Sequence, residues 1–383
     1  MLLLTFTKAN LEISIYDSLT PELEIILKNG ITAELQAAYI KLIEDSAQKD
    51  LTFRYVLVYS EDKKLIAFFY YQLLNFSRNN LNIKRNFFLR LLSDLLLRIR
   101  PFKILISGNL FAVNFPVVYY EKNYLTTTDI INMIMDAKDI YKCDVLMIKD
   151  LDKAFLPNEM LSRGFIKYET DLTMSLNIRK HWNSFDDYVN DLKKKYRKRA
   201  LKVSEAGSSL IRQELNADQI LSQSARIREL FLNVCNRQPI RMGQVDADYF
   251  FEYKKRFPEK FSFIGFYLND KLVSFVTYVD HKEILEVHYI GIDYSCNATM
   301  MLYFNILFDG IEVAIRNHKE QLELGRTARE AKANLGAEPV YFNDYILYNS
   351  RLAKFLSGFI SRQFEKSIGN LWELRSPFIK KNI

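Results

Sequence analysis

The sequence predicts an α/β (α+β) chain of two halves, each a mixed central sheet flanked by helices. Three observations carry this prediction. Runs with the two-residue alternation of strands alternate along the chain with runs of helical spacing. The order of these runs in the second half repeats, at the level of elements and not of letters, an order already met in the first. The chain has 383 residues, 49% of them hydrophobic, enough to bury a core larger than one domain commonly holds.

Composition narrows the partners. Pro (8) and Gly (12) are scarce, which argues against long disordered or low-complexity stretches. A net charge of +7 and a pI near 9.0 suit an anionic partner, and coenzyme A, RNA and an anionic membrane surface all qualify. The three cysteines, Cys143, Cys235 and Cys296, show no paired spacing and read as free thiols of a reducing compartment. The N-terminal apolar patch lacks a basic leader and a cleavage site, and no apolar run is long enough to span a bilayer. A cytoplasmic location is therefore expected.

In chain order, a helix is expected over residues 32–47, followed by strands over 53–59 and 65–76 with Glu61-Asp-Lys-Lys64 as their turn. A basic amphipathic helix over 82–100, stopped by Pro101, could pack on a sheet or lie on a membrane surface. A strand over 103–107, a Gly108-Asn109 turn, a helix over 128–141, a strand over 145–148, a helix over 157–163 and a strand over 172–178 complete the first half. The division is placed at 180/181, giving halves 1–180 and 181–383.

The second half opens with Ser184-Phe-Asp-Asp187, a capping pattern for one helix running to Ala206, with Gly207 as its end signal. Phe185, Tyr188, Val189, Leu192, Tyr196 and Val203 form its apolar stripe. Lys193, Lys194, Lys195, Arg197, Lys198, Arg199 and Lys202 follow one another without an acid. Cations at a helix C-terminus are worth about 0.3–1 kcal/mol each. Seven exceed what capping needs, so a phosphate-bearing partner is the sharper expectation. Helices over 218–233 and 246–256, strands over 261–268, 272–279 and 284–290, a helix over 298–316 and a strand over 322–324 come next. A docking helix over 351–366 closes the chain.

Two stretches carry candidate chemistry. In 284–290, Leu285, Val287 and Tyr289 are expected on one face and Glu286 with His288 on the other. A carboxylate beside an imidazole can orient it as a general base, the task an attacking amine requires. In 321–339, Gly325 permits a sharp turn, Thr327 and Glu330 form a capping-box pattern, and Gly336 then Pro339 end a short helix. Arg326, Thr327 and free backbone N–H groups would meet an anion at that strand end. No nucleophile elbow, phosphate-binding P-loop or Gly-x-Gly-x-x-Gly occurs, and the four histidines and three cysteines have no metal spacing, so no metal is implied.

Gly325-Arg326-Thr327, Lys332 and Leu335-Gly336-Ala337-Glu338-Pro339 resemble the closing motif of GNAT-fold acyltransferases of the Fem-like type, in which two acyltransferase-like halves share one chain. The Ser-Phe-Asp-Asp-Tyr and Lys-Lys-Lys-Tyr-Arg-Lys pieces resemble the opening helix of the second half in that group. The resemblance implies an N-acyltransferase moving an acyl or aminoacyl group from a thioester or tRNA donor to an amine. Glu286 and His288 would be base and orienter. Gly325, Arg326, Thr327 and Lys332, with Lys194, Lys195 and Arg197 of the basic helix, would bind donor or substrate. Acyl-CoA is one donor this implies and aminoacyl-tRNA another. The pyrophosphate loop of acyl-CoA-binding members, Gln/Arg-x-x-Gly-x-Gly/Ala, is absent, since none of the 12 glycines has Gln or Arg three residues before it. Asp293-Tyr-Ser-Cys-Asn297 stands where that loop would be. The alternative from another class is a non-catalytic module binding RNA or an anionic membrane surface through the Lys193 to Lys202 helix.

Overall fold

The computed structural model describes residues 2–8, 10–30, 37–48, 50–82, 95, 97–112, 115–151, 155, 157–168, 172–238, 240–246, 248–351, 353–354, 358 and 373–379. The described part of the first half runs β1 (Leu2–Lys8), β2 (Leu11–Tyr16), α1 (Pro21–Gly30), α2 (Ala37–Ser46), β3 (Leu51–Tyr59), β4 (Leu65–Phe76), β5 (Phe102–Ser107), β6 (Val118–Tyr120), α3 (Thr127–Ile140), β7 (Val145–Ile148), α4 (Pro157–Ser162) and β8 (Ile166–Tyr168). There follow β9 (Leu172–Asn177), α5 (Phe185–Asp191), α6 (Lys194–Ala206), β10 (Ile211–Glu214), α7 (Ala217–Ser222), α8 (Ser224–Cys235) and α9 (Asp248–Arg256). Then come β11 (Phe261–Leu268), β12 (Lys271–His281), β13 (Ile284–Ile292), α10 (Tyr294–Met300), α11 (Leu302–Arg316), β14 (Gln321–Glu323), α12 (Arg329–Ala333), β15 (Glu338–Tyr341) and β16 (Asp344–Tyr348). Two mixed sheets flanked by helices result, as the alternation of periods predicts. The helices expected over 82–100 and 351–366 lie largely outside the described residues, as does the start of the one expected over 32–47.

The chain forms two compact units, residues 1–171 with 239–246 and 342–364, and residues 172–238 with 247–341 and 365–383. The first sheet has the order β1-β2-β3-β4-β5-β7-β16-β8, with β6 also on β4. The second has the order β10-β11-β12-β13-β14-β9-β15. This corrects the expected division at 180/181. The strand over 172–178 does not close the first sheet. Its hydrogen bonds run to β14 and β15, and β16, from near the chain's end, fills the matching place between β7 and β8. Burial on both faces explains the choice: Leu172, Met174 and Leu176 enter the second core while Thr173 and Ser175 are buried opposite.

In the second unit, the single helix expected to end at Ala206 is two. The capping box of Ser184 and Asp187 forms and starts α5. After Asp191 the backbone becomes extended at Leu192. The buried Asp191 carboxylate accepts from Arg179 (3.2 Å), the Trp182 indole (2.8 Å) and His181 (2.5 Å). Backbone bonds from Lys193 to Pro377 and from Ile379 to Asp191, each 2.8 Å, take up the groups a continuous helix would have used. The helix expected over 298–316 starts earlier and bends by 68° at Met301, whose φ of 47° is left-handed. The helix expected over 218–233 likewise divides into α7 and α8. Among the described residues no single helix is long and apolar enough to cross a membrane.

The second sheet carries a local irregularity that shapes the site. Val276 pairs with Ile290 and Tyr278 with Val287, so His288 and Tyr289 together stand opposite Thr277 in a β-bulge. The Thr277 hydroxyl fills the gap, accepting from the Tyr289 N–H (2.9 Å) and donating to its carbonyl (3.2 Å). The bulge corrects the expected alternation. Leu285 and Val287 pack with Leu302, Ile306 and Ile311 of α11, whereas Tyr289 joins His288 against the Tyr249 ring of α9.

Thr277→Val, which keeps the shape and removes the hydroxyl, leaves two part-buried backbone groups without this partner. It is expected to lower unfolding free energy by about 1–3 kcal/mol, with Thr277→Ser near wild type, as measured by urea denaturation.

Candidate active site

β13 and β14 are parallel and pair only over Ile284–Gln321, Leu285–Leu322 and Glu286–Glu323. Beyond that rung they part. β13 continues to Ile292, while the chain after β14 bonds to β9, Leu324 N–H to Met174 (2.8 Å) and Met174 N–H to Gly325 (3.2 Å). Two carboxylates, Glu286 and Glu323, therefore sit side by side where the sheet opens, both buried.

Glu286 is shared by two imidazoles: Oε1 lies 2.8 Å from His288 Nδ1 and Oε2 lies 2.9 Å from His281 Nε2. Burial pushes its pKa up, but the attraction of His288 once that ring is protonated and the hydrogen bonds from both rings outweigh this and hold it at about 2. An ionised carboxylate only accepts, so His288 Nδ1 carries the hydrogen and Nε2 is left to accept from the Tyr249 hydroxyl at 2.7 Å. The His288 side chain is 3% exposed and that of His281 51%. Glu323 accepts from the Gly325 N–H and the Thr173 hydroxyl, each at 2.8 Å. Burial, with the neighbouring Glu286 charge adding to it, raises its pKa. The pair is thus split, Glu286 ionised and Glu323 the readier to hold a proton, as carboxylates assigned to separate acid and base work are.

Gly325 makes the expected turn with φ +80°. Arg326 follows half-buried and Thr327 exposed. The expected Thr327 cap does not form. The turn takes one residue more, Ala328 occupies the cap position in a left-handed conformation without a side-chain bond, and Glu330 pairs with Arg375 at 2.9 Å. Gly336 ends α12 with φ +94°, as expected. Lys332, expected beside a surface anion, instead points inward. It is 3% exposed and donates to the Gly325 carbonyl at 3.1 Å. Burial depresses its pKa to about 7 against the opposing pull of Glu323.

The break between α5 and α6 relocates the basic cluster. Lys194 and Lys195 stand exposed on the first turn of α6, where the helix dipole is positive and cations are disfavoured, not near a C-terminus as expected. Capping therefore does not account for them. Arg197 is engaged otherwise, donating to the carbonyls of Val189, Asn190 and Leu192 at the end of α5. Asp293, after β13, caps α10 through the Ser295 N–H (3.0 Å) and holds Arg226 at 2.6 Å. Although burial opposes it, these bonds keep the Asp293 carboxyl well below its usual range, and an ion-paired carboxylate, with Lys271 also 3.5 Å away, stands where the resemblance expects a phosphate-holding loop. Among the described residues no group of three or more His, Cys, Asp or Glu is placed to hold a metal.

Glu323, Thr173, Tyr249 and His281 were not singled out in the sequence. Glu323 alone left a signal, an acid between two buried leucines at the end of a short strand. Tyr249 and His281 are brought to His288 and Glu286 by helix packing and by a hairpin, which spacing does not encode.

Lys332 supplies a pH test. Its folded pKa lies below the unfolded value of 10.5, so the unfolded chain binds more protons between about pH 7 and 10.5 and stability rises with pH across that window. Lys332→Met is expected to be more stable than wild type at pH 7 and to lose that rise, measured by urea denaturation at pH 7 and pH 9.

No family model matches the chain. No curated protein sequence matches it either. Solved structures do. L-PGS from Bacillus licheniformis superposes with a TM-score of 0.50 at 11% identity, over 91% of this chain and 98% of that one. A tandem GNAT protein from the clavulanic acid biosynthesis pathway gives 0.50 at 9% identity, over 89% and 99%. FemX gives 0.49 at 10% identity, over 89% and 99%. The match to the first two covers nearly the whole of both chains, and the protein has the tandem GNAT fold.

Proposed function

We propose that the protein is an acyltransferase that moves an acyl or aminoacyl group from a thioester or tRNA donor to an amine. One observation carries this reading: a buried, hydrogen-bonded Glu286–His288 pair at the rung where β13 and β14 part. An amine nucleophile must lose a proton as it attacks, and an imidazole whose Nδ1–H is held by a carboxylate has Nε2 free to take it once Tyr249 yields or relays. The gap between the strands admits the reactive end of the donor. Glu323, across the rung, holds the donor-side strand end through the Gly325 N–H, and Lys332 supplies a buried donor or positive charge beside the same turn. Arg326, Thr327 and Gly325 line that turn as donor or substrate contacts.

The donor's phosphates are assigned to Lys194 and Lys195, not to the segment after β13. The segment there, Asp293-Tyr-Ser-Cys-Asn297, has no glycine loop to turn backbone N–H groups on a pyrophosphate, which favours aminoacyl-tRNA or a carrier-borne thioester over free acyl-CoA. The non-catalytic alternative, RNA or anionic membrane binding through the same helix, draws on the same exposed lysines.

The test is transfer to amines from acyl-CoA, acyl carrier protein and aminoacyl-tRNA pools by the purified chain. Glu286→Gln is expected to reduce kcat by about 100- to 10,000-fold with binding of the donor unchanged. Lys194→Glu with Lys195→Glu is expected to weaken donor binding and to flatten the slope of log affinity against log salt by about 1.5. Absence of transfer from every donor class, with RNA or vesicle binding intact in Glu286→Gln, would leave the non-catalytic alternative standing.

A further inference from the structure

The base identified above is closed off from water, yet the structure connects it to the surface. His288 Nε2 is 2.7 Å from the Tyr249 hydroxyl, His288 Nδ1 is 2.8 Å from Glu286, and Glu286 is 2.9 Å from His281 Nε2. Tyr249 is fully buried, Glu286 is buried, and His281, at the end of β12, is half exposed. The other rings and charges against this line are Tyr253 of α9, with its ring 5.9 Å from the His288 ring, Tyr289 of β13 at 4.4 Å, and Glu323 of β14 beside Glu286. Among the hydrogen bonds of Glu286 and His288, only the one to His281 leads outward.

We propose that Tyr249, His288, Glu286 and His281 form one proton-transfer chain, with His281 as its outlet to solvent. The inference rests on the reading of His288 and Glu286 as base and orienter. Each transfer conserves the proton. Tyr249 gives its hydroxyl proton to His288 Nε2 while taking one from the attacking amine, so the tyrosine ends neutral and His288 becomes an imidazolium. The imidazolium passes its Nδ1 proton to Glu286 Oε1 and returns to neutrality with the proton on Nε2. Once neutral, the carboxyl no longer holds the His281 Nε2–H; that half-exposed ring exchanges tautomer with water, so that its hydrogen sits on Nδ1, and the freed Nε2 takes the carboxyl proton. His281 releases a proton from Nδ1 to water. Glu286 returns to the carboxylate, and a reverse turn of the tautomers resets the chain. No oxidant, metal or further co-reactant enters. Tyr249 is on this account the group that meets the acceptor, and His281 acts only through Glu286.

The experiment uses the full chain without donor or acceptor, so its result is independent of whether transfer is found. Exchange of the His288 Nδ1 hydrogen with solvent is measured by NMR on protein labelled with 15N at histidine. Exchange through an outlet is faster than exchange that waits on local opening. His281→Asn is therefore expected to slow it about tenfold or more, and Tyr249→Phe to leave it unchanged. A merely structural His281 would give the opposite sign, because loosening the hairpin speeds exchange. An unchanged or faster rate in His281→Asn overturns the proposal, as does a fall in Tyr249→Phe with none in His281→Asn.

Discussion

The parting of β13 and β14 after the Glu286–Glu323 rung is the constraint on which the second unit depends. Backbone donors and acceptors exposed by such a split must be satisfied or they destabilise the fold. Here each strand keeps its other neighbour through the split, β13 staying paired with β12 and the chain after β14 with β9. Thr277 uses a side-chain hydroxyl to bond both the N–H and the carbonyl of Tyr289 in the bulge of β13. On the far edge of β14 the ladder with β9 runs on past the strand through Leu324 and Gly325. The opening is therefore built into the sheet's hydrogen-bond pattern and does not wait for a ligand to pull the strands apart.

That same rung collects charge that the interior would otherwise exclude. Glu286 remains ionised because two imidazoles surround it, while Glu323 and Lys332 are pushed toward their neutral forms by burial. Groups held away from their ordinary pKa values cost stability in part of the pH range, and packing elsewhere must offset that cost. The aromatic cluster of α8, α9 and the sheet does so on the His288 side. Phe250 meets Phe231, Phe263, Phe275 and Tyr289, with ring centroids 5.4–6.0 Å apart. Gly291 keeps this cluster closed, since a Cβ there would meet the Phe275 ring at 2.1 Å.

The basic cluster shows how one backbone break alters an electrostatic argument. In a continuous helix its lysines would complement the negative C-terminal end. With α5 closed at Asp191, and that end capped by the Arg197 guanidinium, Lys194 and Lys195 face the positive end of a new helix. Three donors on Asp191 from Arg179, His181 and Trp182 hold the break, and Phe378 locks it by stacking under the Arg179 guanidinium at 4.1 Å.

By itself the sequence determined the strands and helices whose signals are local. The apolar runs of β11 and β12, the Ser184 capping box, and the turns at Gly325 and Gly336 all depend on side chains or on φ freedom within a few residues. It also placed Glu286 and His288 together, because neighbours two apart in a strand share a face. Only the tertiary structure decided what depends on contacts distant in sequence. Exchange of β9 and β16 between the sheets reflects which core each strand fills, Leu172, Met174 and Leu176 the second and Tyr345 the first. The Thr327 cap gave way to a turn that also had to serve β9. Lys332 turned inward because the Gly325 carbonyl and Glu323 offered partners there. Tyr249 and His281 reached His288 and Glu286 through a helix and a hairpin, and such long-range proximity leaves no period in the chain to read.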